Sequence, residues 1–188
     1  MLLLVALVLG LLAGIVSGGK AGNLAHVTFR WPWFVLAVLI IREATILTPL
    51  SRVEGVQYVY AAALAGLIAW TLWHIRRLRG VWIVALGATL NLIVVIANGA
   101  RMPVAPALAG HLVQRGHVGQ YVVMGSGTNL GWLADWIGVP GPLGGAYSPG
   151  DFVVALGIAS VAFFATRQGP AAPTKLDQTS KRIGSYPP

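Results

Sequence analysis

The chain contains no cysteine. That excludes disulfides, thiolate metal sites and a cysteine nucleophile, and leaves the redox compartment open. Charge is also scarce: 10% of the 188 residues are charged and only 5 are acidic. A typical soluble domain is about 25% charged. The few charges are lopsided, with 13 Lys and Arg giving a net charge of +8. A basic chain invites a nucleic-acid reading, but these bases sit in clusters between apolar runs, as topology signals do, and do not form one patch. A nucleic-acid partner is therefore not expected. No internal repeat is visible.

What is abundant is apolar sequence: 56% of residues are hydrophobic, and the mean hydropathy is +0.75. This composition belongs to the membrane class. Five apolar runs, residues 2–17, 32–50, 56–75, 81–99 and 150–166, read as helices. The expectation is an all-α polytopic membrane protein of about five transmembrane helices. The first run makes only about 24 Å of helix at 1.5 Å per residue, short of the ~30 Å hydrocarbon core. Small residues follow it at Ser17-Gly18-Gly19, as after a signal peptide, but no basic segment precedes it. Gly10, Gly14 and Gly18 recur every fourth residue, with Ala6 extending the series. Such a ridge lets another helix backbone approach closely, so a retained helix is expected, packed through those glycines. Ala61, Ala65 and Ala69 repeat the pattern in the third run.

Basic residues fix an orientation. Lys20 and Arg30 follow the first run, Arg76, Arg77 and Arg79 follow the third, and Arg167, Lys175, Lys181 and Arg182 follow the last. Arg52 and Glu54 cancel in the loop after the second. The positive-inside rule then puts the N-terminus outside and the C-terminus in the cytoplasm. Trp31, Trp33, Trp73 and Trp82 mark one interface, Tyr58 and Tyr60 the other. Residues 100–149 form an outer segment too long for a mere connection. Leu108, His111, Leu112 and Arg115 have helical spacing there, and Thr128 or Asn129 can cap a second short helix carrying Leu130, Leu133 and Ile137. The segment reads as a cap of short interfacial helices over the bundle. Residues 168–188 are polar, proline-bearing and aperiodic, the composition of a disordered tail.

Polar residues inside apolar runs mark where function is sought. Arg42 and Glu43 interrupt the second run, and an intramembrane charge must face protein, water or a partner. As neighbours on a helix they point about 100° apart, so each needs a partner from another element. Glu43 with Arg101 is the expected pair. Asn91 and Asn98 lie seven residues apart on nearly one helix face. Asn91 reads as interhelical glue, and Asn98-Gly99 as a helix end with Gly99 at C′. In Ser148-Pro149-Gly150-Asp151, Ser148 is a natural N-cap, Pro149 takes N1 and Asp151 closes a capping box. Arg42, Glu43, Asn91, Asn98, Arg101 and Asp151 thus form a candidate polar cluster for ligand binding or packing. His111, Arg115 and His117 have no metal-ligand spacing, and Gly125-Ser126-Gly127 completes neither a nucleophile turn nor a dinucleotide loop. No catalytic residue, metal or cofactor is expected.

Asn98-Gly99-Ala100-Arg101-Met102-Pro103, Tyr121-Val122-Val123-Met124-Gly125-Ser126 and Tyr147-Ser148-Pro149-Gly150-Asp151 carry a resemblance. Through them the chain resembles a bacterial integral-membrane family known only as a domain of unknown function, over about residues 1–167. The resemblance implies a topology and no activity. The residues favour an accessory, assembly or ligand-binding membrane subunit with membrane lipids, a membrane-protein partner or a second copy around it. Two alternatives stand beside it: a transporter or channel for an ion or lipid headgroup, and a membrane enzyme acting on a lipid-linked substrate at the outer face.

Overall fold

The computed structural model describes residues 1–47, 49, 53–110, 117–141 and 144–168; at residues 42–43 and 45–47 it describes the backbone alone. Five α-helices begin close to where the apolar runs begin: α1 (Leu2–Val16), α2 (Pro32–Leu47), α3 (Val56–Trp73), α4 (Val81–Ala97) and α5 (Pro149–Ala165). α5 packs between α1 and α4, α3 packs on α4, and α2 packs on α3. The last helix in sequence therefore sits inside the layer and ties its first helix to its fourth.

Glycine sets how closely these helices approach. A Cβ on Gly10 would fall on the Ala159 carbonyl oxygen, and one on Gly14 would lie 3.0 Å from the Phe163 carbonyl oxygen. The glycine ridge of α1 is thus used within the chain, against α5. Gly18 is not part of it. Its φ of +90° places it in a left-handed turn with open space around it, and Gly19 takes the close contact with Gly14 and Thr166 instead. α4 and α5 interlock the same way: a Cβ on Gly87 would lie 2.6 Å from the Gly150 carbonyl oxygen.

The expectation of an all-α protein with five spans is corrected on two counts. Among the described residues only α3, with 18 residues, is long and apolar enough to cross a membrane. The other apolar helical stretches among the described residues run 10–17 residues. A 15-residue helix such as α1 reaches about 22 Å at 1.5 Å per residue, well short of a ~30 Å hydrocarbon core. Only 17% of α3 is buried, so it is not the core helix of the fold.

The second correction concerns the cap, which is built from strands. β1 (Met102–Val104) pairs in parallel with β3 (Tyr121–Val123), and β2 (His117–Val118) pairs antiparallel with β3. β4 (Ile137–Val139) and β5 (Gly145–Tyr147) form an antiparallel ladder, and a Val104–Asp135 bridge links the two sheets. Each strand is two or three residues long, mostly bounded by glycine or proline turns, and rich in β-branched or aromatic side chains. The second anticipated short helix reduces to a 3₁₀ turn, Gly131–Leu133, with Ile137 in β4, and Leu108 of the first closes a 3₁₀ turn, Pro106–Leu108. His111, Leu112 and Arg115 lie outside the described residues, as do Arg52 and residues 169–188 of the expected tail.

The cap is seated on the end of α4. Val94, Val95, Ala100, Met102, Leu133 and Ala134 form one buried cluster, with Tyr60 and Ala61 of α3 packed against it. Gly99, at φ +67°, turns the chain out of α4 from the position after the Asn98 C-cap. Ala100 follows at φ 63° despite its side chain, so two successive left-handed residues redirect the chain from helix to sheet.

Candidate functional site

α4 and α5 cross where Asn91 lies over Gly150. The Asn91 side-chain oxygen occupies the space a Cβ at position 150 would need. Only glycine fits there, which explains the Pro-Gly-Asp order at the helix start. Beside it, Ser148 and Asp151 form the full capping box: the Ser148 hydroxyl accepts from Asp151 N at 3.0 Å, and Ser148 N donates to Asp151 Oδ2 at 3.0 Å. Asn91 closes the ring. Its amide donates to Asp151 Oδ1 at 2.8 Å, and its carbonyl accepts from the Ser148 hydroxyl at 2.8 Å. Each atom of the Asn91 amide thus has a named partner across the helix interface.

This ring forms part of the wall of a cleft of about 620 Å³ between the helices and the strand cap. Leu64 and Leu67 of α3, Val84 and Ala88 of α4 and Val154 of α5 supply apolar wall. Asn91 and Asp151 enter it from the helices, and Asp135 enters it from the cap, with Tyr60, Tyr121 and Tyr147 around them. The volume falls inside the range of ~300–1,000 Å³ usual for small-molecule sites, and apolar walls with a few converging polar groups are the usual construction. Among the described residues, the charged side chains lining the cleft are the two aspartates, and Met1 at the start of α1 lines it as well.

The structure divides the sequence-derived cluster. Asn91 and Asp151 meet. Asn98 does different work: its side-chain oxygen accepts from Asn129 N at 2.9 Å, and its amide donates to the Val94 and Asn129 carbonyls at 2.8 and 2.9 Å. Asn129 returns its own amide to the Ala97 carbonyl at 3.0 Å. The pair clamps the cap to the last turn of α4. Arg101 is half-buried, with Nε shielded from solvent and without a hydrogen bond. Arg42 and Glu43 lie on α2, but their side chains are outside the described residues, and the Glu43–Arg101 pairing with them. Gly10 and Gly14 hold α1 to α5, away from this cleft.

Sequence reasoning did not bring Asp135 and the three tyrosines into one site: Tyr60 read as an interface marker, and Tyr121 and Tyr147 stood only in the family motifs. They share no helical face, and the strands that bring them together are too short to show a period. The only available signal was rarity: Asp135 is one of 5 acids, set between Trp132 and Trp136. Also missed was His74, which is 1% exposed. Its Nδ1 donates to the Trp70 carbonyl at 2.8 Å and its Nε2 accepts from Arg30 N at 3.1 Å, so the ring joins the end of α3 to the chain entering α2. Among the described residues, no group of three or more His, Asp or Glu is placed to hold a metal ion.

The model of a family of unknown function, DUF5317, matches residues 26–163, and the chain belongs to that family. The match takes in α2, α3, α4, both sheets and most of α5, and therefore every residue named in the cleft. No curated protein and no solved structure matches the chain.

Proposed function

We propose that this member of the DUF5317 family is a non-enzymatic membrane protein that holds a small ligand in the cleft between its helices and its strand cap. The cleft itself carries the reading: it has apolar walls and polar groups converging from α4, α5 and the cap. The ring around Asn91 gives those groups fixed positions, because each side chain in it is held by two hydrogen bonds. That is the arrangement of a preformed site.

Membrane attachment rests on what the helices expose. Large apolar side chains stand outward on several of them, including Leu9 at 59%, Ile40 at 60%, Ile96 at 65% and Leu156 at 61%. Lipid acyl chains are the partner that matches outward apolar side chains spread over so many helices. α3 is the spanning element. Arg76, Arg77 and Arg79 follow its C-terminal end, so that end lies on the cytoplasmic side of the bacterial inner membrane and the cap on the outer side. Exposed Trp31, Trp33, Trp73 and Trp82 ring the basic end, where indole suits the interface.

The test is whether the cleft takes up an apolar probe. Saturation-transfer NMR with 1-hexanol should give transfer to the wild-type protein in detergent. Leu64→Trp, which puts an indole into the cleft from its α3 wall, should abolish it at a similar melting temperature. Equal transfer in both proteins would show that the probe binds elsewhere and would overturn the reading.

A further inference from the structure

We propose that the basic end of the molecule carries a second site, separate from the cleft, that takes the phosphate of an anionic phospholipid headgroup. The C-terminal ends of α1 and α5 build it, around a polar hollow of about 490 Å³ whose lining includes Ser17, Lys20, Asn23, Thr166 and Arg167. The cleft lies at the opposite ends of the same two helices, where Leu2 and Asp151 line it. Gly80, the N-cap of α4, packs against Ser160 in the second half of α5. The turn from α3 into α4, with Arg76, Arg77 and Arg79, is therefore on the hollow's side of the bundle.

Helix C-termini usually present unpaired carbonyls, a poor surface for an anion. Here those carbonyls are taken. Gly18, at φ +90°, turns the chain back at the end of α1. Lys20 N then donates to the Thr166 carbonyl at 2.8 Å, joined by the Asn23 amide at 2.6 Å. The Thr166 hydroxyl donates to the Phe163 carbonyl at 2.8 Å, and Gly19 N to the Gly14 carbonyl at 2.9 Å. The Arg167 guanidinium donates to the Ser17 carbonyl.

What remains for a ligand is donors. Arg167 lies over the Phe163 ring, 4.7 Å from its centroid, so its guanidinium is held in place while one nitrogen serves Ser17 and N–H groups are left over. Lys20 is exposed, and among the described residues its ammonium has no partner. Among the described residues no Asp or Glu lines the hollow. Two cations with spare donors, on a backbone that offers few free acceptors, fit an anionic oxygen cluster.

The surroundings select a lipid over a free phosphate. Leu9, Leu12 and Val16 are exposed on one face of α1, which ends beside Ser17. A headgroup between Lys20 and Arg167 lays its acyl chains along that face. Exposed Trp31, Trp33, Trp73 and Trp82 mark the same end of the molecule as an interface. Basic pockets between helices on the cytoplasmic side are where anionic headgroups are held.

Calorimetry on the full-length protein in zwitterionic detergent, at physiological ionic strength, tests the site. Dihexanoylphosphatidylglycerol should bind the wild type at least about fivefold more tightly than dihexanoylphosphatidylcholine or inorganic phosphate, the step one base supplies at a membrane surface. Lys20→Gln, which keeps the backbone bond to Thr166, should weaken the phosphatidylglycerol about fivefold on the same ground. Lys20→Gln combined with Arg167→Gln should remove the preference over phosphatidylcholine. Arg76→Gln combined with Arg77→Gln, outside the hollow, and Leu64→Trp, in the cleft, should leave it intact. Inorganic phosphate that binds as tightly as the lipid would overturn the lipid assignment. An equal loss from the Arg76 and Arg77 pair would reduce the site to diffuse surface charge, and a loss from Leu64→Trp would put the lipid in the cleft. Either result overturns the proposal, as does a Lys20→Gln variant that binds like the wild type.

Discussion

Replacing Asn91 by alanine isolates the energetic core of the site. The substitution removes two hydrogen bonds, one to the Asp151 carboxylate and one from the Ser148 hydroxyl, both at 2.8 Å. Their surroundings differ. Asp151 lines the cleft, so water can replace the lost donor, and that bond is worth close to the ~0.6 kcal/mol averaged for helix-to-helix contacts in membranes. Ser148 is 0% exposed, and its O–H donor loses its acceptor while its oxygen still accepts from Asp151 N. Leaving a buried O–H donor unpaired costs about 1–3 kcal/mol. The expected total is about 1.6–3.6 kcal/mol. For a chain of this length that lowers the melting temperature by roughly 3–14 °C. Thermal unfolding in detergent, followed by circular dichroism, measures it. The coupling supplies the sharper test. Ser148→Ala removes the stranded group, so the double variant should lose at least about 0.5 kcal/mol less than the sum of the two single losses. A loss below about 1 °C for Asn91→Ala, or strict additivity with Ser148→Ala, would refute the ring as a coupled unit.

Further outcomes follow from the same geometry. Gly10→Leu should lower the melting temperature sharply, because the side chain meets Ala159 backbone, whereas Gly18→Ala meets open space and should cost only about 1 kcal/mol for its left-handed φ. Leu130→Gly should raise stability by up to about 1 kcal/mol, since Leu130 holds φ 53° and is more than a third exposed. His74→Phe should cost about 1–3 kcal/mol by stranding Arg30 N, and the emission of the neighbouring Trp70 and Trp73 should change with it. Single cysteines at Arg77 and Leu130, both exposed, should differ toward an impermeant thiol reagent on intact cells. Leu130 should label; labelling at Arg77 alone would invert the orientation.

The helices were legible because their signals are local. Apolar runs located all five, Ser148-Pro149-Gly150-Asp151 announced the start of α5, and Asn98-Gly99 announced the end of α4. Length misled: the five runs read as spans, whereas among the described residues only α3 is long and apolar enough to cross a membrane. The cap was misread because a leucine spacing of three, as in Leu130 and Leu133, fits a 3₁₀ turn as well as an α-helix. Asn91 and Asp151 could be singled out one by one as polar groups in apolar surroundings. Their meeting could not, since it depends on α5 packing beside α4 across 60 residues of sequence. Asp135 was harder still, because a sheet of two- and three-residue strands carries it to the cleft.

The central claim is that the cleft holds a ligand, and native mass spectrometry of protein extracted from its own membrane in mild detergent tests it most directly. The wild type should carry a stoichiometric small-molecule adduct, and Leu64→Trp, extracted the same way and equally folded, should lack it. An identical adduct on both proteins, or a wild type at its bare mass under conditions that preserve bound lipid, would contradict the account.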